Sequence, residues 1–232
     1  ADNLSVELLD LYTQQGESGE SNYRIIPRKG TKYVTIKDLK RLLKNLSEEF
    51  QKEVQNIGTE VAVDDVTYLC NFGVKNGEIV MSKLYRDNIT NHALEEGRFF
   101  TEEEYKEGLR VVLDEAVTST SQKSPYLDSI RSKDGKYLII EGKKYRIIGK
   151  HTSFPDQPIV PITSLPDDYP LYEWIEFDFE GSVNSLQYAE LKDAVEETMG
   201  DHASLPDMDL GDGTCLKMTI AEYYTPNGRS IN

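Results

Sequence analysis

The chain has 232 residues, of which 26 are Lys or Arg and 41 are Asp or Glu, so its formal net charge is -15 at pH 7. At roughly 150 residues per domain, this length fits one large domain or two small ones. The acidic balance disfavours nucleic acid as a partner, because a protein that neutralises phosphates needs a basic face. Fourteen Tyr, seven Phe and one Trp disfavour a disordered chain. The sequence contains neither an apolar run of membrane-spanning length nor a signal peptide over residues 1–20, so we expect a soluble piece.

The negative charge is concentrated in the last third of the chain. Residues 155–232 hold 3 basic and 16 acidic side chains and therefore carry -13 of the -15. A charged surface of this kind keeps a protein in solution, and it also attracts cations. The sequence therefore predicts either a plain solvated surface or a cationic-ligand surface, and the residues assigned to that surface are Asp167, Asp168, Glu173, Glu176 and Asp178.

The first half of the chain alternates between strand and helix patterns. Apolar residues at helical spacing predict one long helix from Thr35 to Ile57, with Thr35 and Asp38 as a capping box and Gly58 as the stop. Residues 14–22 and 118–135 are predicted loops. The other predicted elements are strands over 4–12, 60–69, 78–85 and 109–113, and a short acidic helix that begins at Thr101.

The second half begins with a predicted hairpin whose turn is Glu141-Gly142. A short edge strand around Ile159 and Ile162 follows among three prolines, and Leu171 to Phe179 alternates as a strand. A helix is predicted from Asn184 to Met199, and a last strand from Leu216 to Tyr224. The apolar face of this helix is predicted to be Leu186, Ala189, Val195 and Met199, with Leu191 and Ala194 at its margin.

Helices and hairpins mix without regular βαβ repetition, which indicates an α+β fold of mixed sheets with packed helices. We expect one domain over residues 1–232, made of two subdomains with the smaller inserted in the larger. The predicted larger subdomain is 1–75 plus 155–232, and the smaller is 76–154.

No motif of catalysis or cofactor binding stands out. The three histidines, His92, His151 and His202, lack metal-ligand spacing and are predicted to lie on the surface or in loops. Phosphate-binding loops and the Gly-x-Ser-x-Gly elbow are absent. Cys70 and Cys215 are predicted to be small buried residues rather than a disulfide framework or a metal site. The sequence thus predicts neither catalytic residues nor a metal or cofactor.

Three segments resemble the extracellular core domain of MacB-like and FtsX-like ABC transporter permeases. The first is similar to the family pattern Gly-Arg-Phe-Phe-(Ser/Thr)-Glu-Glu, and here it reads Gly97-Arg98-Phe99-Phe100-Thr101-Glu102-Glu103. The second, residues 135–149, is similar to a glycine-punctuated hairpin pattern that ends in Tyr145-Arg146-Ile147-Ile148-Gly149. The third, Ile159 to Leu165, resembles a strand that contains Pro, an apolar residue and Thr or Ser.

The resemblance covers roughly residues 90–200, and the stretch 118–134 departs from it. It implies a domain at the cell membrane, on the extracellular or periplasmic side, without bond chemistry of its own. The implied partners are the transmembrane helices of its own permease, a separate ATP-binding subunit or domain, a second permease copy and an extracellular partner. A cationic peptide is a candidate for the transported molecule. Read from the residues alone, the same glycines are turn residues, and Phe99 and Phe100 are core.

Two other classes of function stay open at this point. Residues 211–232 resemble a strand-turn segment of C-terminal processing peptidases, although the Ser-Lys dyad of that family has no counterpart here. The chain also fits a plain extracellular binding module. Apolar spans of roughly 20 residues immediately outside both ends of the chain would favour the permease, and a single anchor would favour the binding module.

Overall fold

The computed structural model describes most of the chain between residues 21 and 199, together with short strands beyond it. The predicted strand over 4–12 and most of the predicted strand from Leu216 to Tyr224 lie outside the described residues. The described ranges are 21–27, 34–116, 125–154, 157–179, 184–199, 203–204, 208–209, 215–216, 223–224 and 230–231.

The described helices begin, for the most part, with a side-chain cap. Thr35, Ser47, Ser82 and Thr101 each accept a hydrogen bond from a backbone N–H of the first turn, which has no partner within the helix. None of these helices is long and apolar enough to cross a membrane. The helices are α1 (Ile36–Lys44), α2 (Glu48–Glu53), α3 (Lys83–His92), α4 (Glu102–Glu107), α5 (Pro125–Ile130) and α6 (Ser185–Met199).

Ten of the described strands form two main sheets, and four short ones form two separate pairs. The strands are β1 (Ser21–Pro27), β2 (Val54–Val63), β3 (Val66–Lys75), β4 (Glu78–Met81), β5 (Leu94–Gly97), β6 (Val111–Glu115), β7 (Tyr137–Ile140), β8 (Lys143–His151), β9 (Leu171–Phe179), β10 (Ala203–Ser204), β11 (Met208–Asp209), β12 (Cys215–Leu216), β13 (Tyr223–Tyr224) and β14 (Ser230–Ile231). The predicted strands over 60–69, 78–85 and 109–113 overlap with β2 and β3, with β4 and with β6 of this list.

The predicted helix from Thr35 to Ile57 is wrong in its extent. α1 ends before the cap residue Asn45, α2 begins after Ser47, and strand β2 begins at Val54. Ser47 fixes this break through contacts with α6, because its N–H and hydroxyl both donate to the Glu190 carboxylate, at 2.6 and 3.0 Å. The apolar residues do have the helical spacing, but they are divided among α1, α2 and β2.

Two other boundaries also differ from the predictions. The predicted strand over 78–85 ends at Met81, since Ser82 caps α3. The predicted loop over 118–135 contains helix α5, which buries Leu127. Leu186, which the sequence places on the apolar face of α6, is 81% exposed, and Tyr188 lies in the core instead.

The first sheet is antiparallel, with strand order β10-β1-β9-β2-β3-β4. Its core face carries Ile175, Phe177 and Phe179 of β9, all fully buried. Phe50 of α2 packs edge-on against Phe177 and Phe179, with ring centroids 6.2 and 5.3 Å apart. The predicted alternation of β9 is therefore correct, and its apolar face packs against α2.

The second sheet is mixed and has strand order β5-β8-β6, with β7 also paired to β8. β6 runs parallel to β8, whereas β5 and β7 run antiparallel to it. The turn between β7 and β8 is Glu141-Gly142, as predicted, and both residues have positive φ.

The stretch from Pro158 to Val160 connects the two sheets. On one side the Leu69 N–H donates to the Pro158 oxygen at 2.9 Å, and the Val160 N–H donates to the Leu69 oxygen at 3.1 Å. On the other side Ile159 and Leu113 exchange both backbone hydrogen bonds, at 2.9 and 3.0 Å. Because Leu69 belongs to β3 and Leu113 to β6, the two sheets share this short strand.

The predicted α+β class, with mixed sheets and packed helices, is confirmed. All strands of the second sheet come from chain between β4 and β9, so this sheet is inserted in the sequence of the first. The division into 1–75 plus 155–232 and 76–154 stays a prediction. β4 lies within the range 76–154 and pairs with β3 in the first sheet.

Candidate functional site

Two glycines bring the first and second segments of the resemblance into backbone contact. Gly97 has a φ of +75°, and a Cβ added there would lie 2.2 Å from the backbone oxygen of Ile148. A Cβ on Gly149 would lie 2.8 Å from the backbone oxygens of Glu96 and Arg98. Neither position has room for a side chain, so glycine is required at both by close approach, and at Gly97 also by the positive φ.

Arg98 anchors the start of α4 to the end of β5. Its guanidinium donates to both carboxylate oxygens of Glu104, at 2.8 and 2.7 Å. Glu104 also accepts the Thr101 N–H at 2.9 Å, and the Thr101 hydroxyl accepts the Glu104 N–H at 3.1 Å. Because Arg98 stabilises the charged form, the pKa of Glu104 lies below its usual value. Arg98 and Glu104 of this segment therefore have a structural use within the chain.

Phe99 and Phe100 lie in the core beside Tyr85 and Tyr105. The two Phe ring centroids are 4.8 Å apart, and Phe100 packs against Tyr105 at 6.1 Å. The Tyr105 hydroxyl donates to the backbone oxygen of Asn71 in β3, at 2.7 Å. Burial raises the pKa of Tyr105, so its hydroxyl stays a hydrogen-bond donor. This segment thus binds the second sheet to the first.

The third segment of the resemblance meets the other two at a single-turn 3-10 helix, Ile162–Ser164. The Thr163 hydroxyl donates to the Tyr105 oxygen at 2.6 Å, and the Tyr145 hydroxyl donates to the Ser164 oxygen at 2.8 Å. A Cβ on Gly108 would lie 2.4 Å from the Thr163 oxygen. Three segments that are distant in sequence therefore form one contact region, here called the joint, which comprises residues 97–108, 145–149 and 158–165.

A buried carboxylate and a buried histidine belong to strands β6 and β8 of the second sheet. Asp114 is 2% exposed and accepts from Arg131 Nε at 2.8 Å and Nη2 at 3.1 Å, while Arg131 also pairs with Asp128. His151, predicted to lie on the surface or in a loop, is instead fully buried in β8. Burial lowers its pKa from 6.5 to about 4, and its Nδ1 lies 2.8 Å from the Ser153 hydroxyl. His151 is thus a neutral core residue near pH 7.

The other residues that were candidates for metal or thiol chemistry are dispersed. Within the described ranges, no group of three or more His, Cys, Asp and Glu side chains lies close enough to hold a metal ion. Cys70 is fully buried, and burial raises the pKa of its thiol, which disfavours the reactive thiolate. His92 lies exposed at the end of α3, and His202 and the Cys215 side chain lie outside the described residues.

Asp167 and Asp168 lie in the turn that precedes β9. The Asp167 carboxylate pairs with Lys40 Nζ at 2.5 Å, and its backbone oxygen accepts the Lys37 N–H at 2.8 Å. Asp168 is exposed to solvent. One of these two predicted ligands of a cation thus already has a cationic partner within the chain.

Glu176 and Asp178 lie on the opposite part of β9, about 20 Å along the strand from that turn. Asp178 accepts a hydrogen bond from the Asn56 amide at 2.9 Å, and the strand register pairs Glu176 with Arg24 of β1. The side chain of Glu173 lies outside the described residues. The structure therefore places the predicted surface residues in two separate groups.

Sequence reasoning missed a basic stretch within this acidic chain. Residues 131–150, here called the basic hairpin, form β7, β8 and the segment before them, and hold seven basic and two acidic side chains. The net charge of -15 for the whole chain does not reveal this basic stretch. A charge count over windows of about 20 residues would have found it.

Solved structures that are similar to this chain include two domains of ABC-type transporters. No family model matches the chain, and no curated protein matches it. The periplasmic region of MacB from Actinobacillus actinomycetemcomitans is 14% identical, with a TM-score of 0.48, and the match covers 85% of this chain and 93% of that one. The extracellular domain of the noncanonic ABC-type transporter YknZ from Gram-positive bacteria is 15% identical, with a TM-score of 0.49, and the match covers 82% and 100%.

Proposed function

We propose that this chain is the extracellular, periplasmic-type domain of an ABC transporter permease of the MacB-like and FtsX-like class. One observation carries the proposal: the three segments that resemble this class, spread from Gly97 to Leu165, meet at the joint. If the resemblance of these short, degenerate motifs were due to chance, there would be no reason to expect their residues to lie in contact. Here the glycines, the Arg98–Glu104 pair and Thr163 contact one another or share neighbours.

In this proposal the domain carries out no bond chemistry. ATP hydrolysis on a separate ATP-binding subunit or domain moves the transmembrane helices, and the domain transmits that motion to an extracellular partner or to export. The joint suits such a role, because the sheets share one short strand and the Arg98–Glu104 pair fixes α4 beside it. A second copy of the permease is the other proposed partner.

The acidic residues of the last third are proposed to attract a cationic peptide. The two groups found on the structure can be tested separately with a labelled oligolysine peptide at low salt. Asp168→Asn changes the exposed turn, and Glu176→Gln with Asp178→Asn changes the face of β9. Weaker binding in either variant supports a cationic-ligand surface at that group, and unchanged affinity in both contradicts it, because exposed charge attraction must fall when charge is removed.

The membrane association of the intact gene product tests the main proposal. We expect the product to resist alkaline carbonate extraction, as a protein with several membrane spans does, and to copurify with an ATP-binding protein after detergent extraction. ATP hydrolysis by the copurified complex would support the coupling role.

The alternative functions give different results in the same experiment. A fragment of a secreted processing peptidase would leave the membrane with carbonate and cleave peptides. A plain binding module would stay in the membrane through one anchor, and the protein purified after detergent extraction would not hydrolyse ATP. Either result would overturn the permease proposal.

A further inference from the structure

The basic hairpin differs in charge from the rest of the molecule. Residues 131–150 hold seven basic and two acidic side chains, whereas the other 212 residues hold 19 basic and 39 acidic ones. Lys133, Lys136, Lys144 and Arg146 are all exposed. The basic side chains of the hairpin repel one another because they lie close together. Their exposure leaves them available to an anionic partner.

Part of this charge is already used within the domain. Lys150 Nζ lies 3.0 Å from Glu96, and Arg146 lies 3.8 Å from Glu104. Lys136 forms no ion pair with the part of the chain that the structure describes, and Lys144 lies over the Tyr137 ring, 5.5 Å from its centroid. Arg131 pairs with Asp114, and the Lys136 ammonium attracts the nearby Asp134 carboxylate. Lys136 and Lys144 are therefore among the exposed basic side chains without an ion pair in the described part of the chain.

A groove runs through the same surface. β7 covers β8 up to Arg146 and β5 covers it from Gly149, so Ile147 and Ile148 lie between two strand ends. The space there has a volume of about 430 Å³, and Lys136, Arg146 and Lys150 are among its lining residues. Glu96 also lines it, and the backbone of the gap is already paired, since the Ile147 N–H donates to the Lys136 oxygen at 2.9 Å and the Ile148 oxygen accepts the Arg98 N–H at 3.1 Å. A ligand would therefore meet side chains there rather than open backbone groups.

We infer that this groove binds an extended, acidic segment of a partner protein. The basic side chains that line the groove, Lys136, Arg146 and Lys150, complement the carboxylates of an acidic chain that lies along it. A membrane surface fits less well, because it is flat and because binding to it usually adds inserted apolar side chains to the cations. Among the described residues, the large exposed apolar side chains all lie outside the basic hairpin; they are Leu84, Leu109, Tyr126, Phe154 and Leu186.

This inference rests on the proposed function only for the identity of the partner, which would be an extracellular protein that works with the permease. The binding itself is a property of the isolated surface. A failure of the membrane experiment would therefore leave the groove intact as a binding site, whereas a failure of the binding experiment below would leave the permease proposal intact.

The test measures fluorescence anisotropy of a labelled decaglutamate peptide with the full 232-residue chain at low and high salt. Lys136→Glu with Lys144→Glu should weaken binding about tenfold or more, because one reversed charge lines the groove and the other lies over Tyr137, which also lines it. Lys52→Glu with Lys75→Glu is the matched control, since it changes the total charge equally at exposed positions away from the groove. Thermal unfolding of both variants confirms that each is folded.

Strong loss in the groove variant and little loss in the control support the inference. Equal loss in both variants would overturn it in favour of unspecific charge attraction, and absence of peptide binding to the unaltered chain would overturn it outright. Vesicles of phosphatidylglycerol provide the remaining comparison. If they bind the chain through Lys136 and Lys144 while the peptide does not bind, the surface recognises lipid and the inference is wrong.

Discussion

The Arg98 guanidinium and the Glu104 carboxylate form a bidentate pair, with hydrogen bonds of 2.8 and 2.7 Å, at the place where β5 passes into α4. Glu104 completes the capping box of α4 with the same carboxylate. One side chain thus connects the helix start, the strand end and the joint. Its negative charge is required for the ion pair with Arg98 and strengthens the capping contact, which makes the stability of this region dependent on pH.

We predict that Glu104→Gln removes this dependence. The folded-state pKa of Glu104 is lowered, so its contribution is present above the ordinary pKa of 4.5 and is lost as the pH falls below it. At neutral pH the variant should lose about 1–2 kcal/mol, a modest value because Arg98 is half exposed and water screens the pair. Urea unfolding from about pH 5 to about pH 3 should show a shallower decline than in the unaltered chain.

The control is Glu102→Gln, the same change at an exposed position of the same helix turn. It should keep the pH dependence of the unaltered chain. Parallel declines for the unaltered chain and Glu104→Gln would contradict the role assigned to the pair.

A second prediction concerns the close approach at Gly97. Gly97→Ala and Gly142→Ala both place a side chain at a φ near +75°, yet an added Cβ meets the Ile148 oxygen at 2.2 Å in the first case and no atom within 4 Å in the second. Gly142→Ala should cost about 1–2 kcal/mol for the left-handed conformation alone. Gly97→Ala should cost about 1–3 kcal/mol more, because the backbone must move. Equal losses in chemical unfolding would show that the contact is absent.

A third prediction concerns the buried pair of Asp114 and Arg131. Arg131→Met leaves the Asp114 carboxylate, 2% exposed, without its main partner and should cost about 3–5 kcal/mol. Arg86→Met breaks the exposed pair with Asp87 and should cost less than about 1 kcal/mol. Differential scanning calorimetry can compare the two variants. A small effect of Arg131→Met would mean that water reaches Asp114.

A fourth prediction follows from the burial of His151. Its pKa is lowered from 6.5 to about 4, so only the unfolded chain binds a proton between these values, and folding weakens as the pH falls through that window. The loss should be on the order of 3 kcal/mol by about pH 4. His151→Gln should lack this loss, whereas His92→Gln, at an exposed position, should retain it. A stability that stays constant over this window in the unaltered chain would contradict the burial of His151.

Elements with strong local patterns were predictable from the sequence. β9 alternates, the Glu141-Gly142 turn separates two apolar runs, and Asn184 caps α6 with its side chain. In these cases the local preference and the tertiary environment agree. The break between α1 and β2 was not predictable, because Ser47 is fixed by Glu190, a residue of a distant helix.

The site was less predictable than the fold. In the first segment, Gly97 and Arg98 predict a turn and a charge. Their contact partners, Ile148 and Glu104, are evident only from the folded structure. The acidic residues near β9 are close in sequence, yet an extended strand separates them by about 20 Å. Burial of His151 depends on strands that pair across the second sheet, which local sequence does not encode.

The central claim is that this domain lies outside the membrane of an intact transporter permease. The most direct measurement is labelling of Lys133→Cys in the intact gene product with a membrane-impermeant maleimide, with Cys215 replaced by Ser. Lys133 is exposed, whereas Cys70 is fully buried and serves as the unreactive internal control. We predict labelling of intact cells that equals labelling after permeabilisation. Labelling that appears only after the cells are opened would place the domain inside and contradict the account.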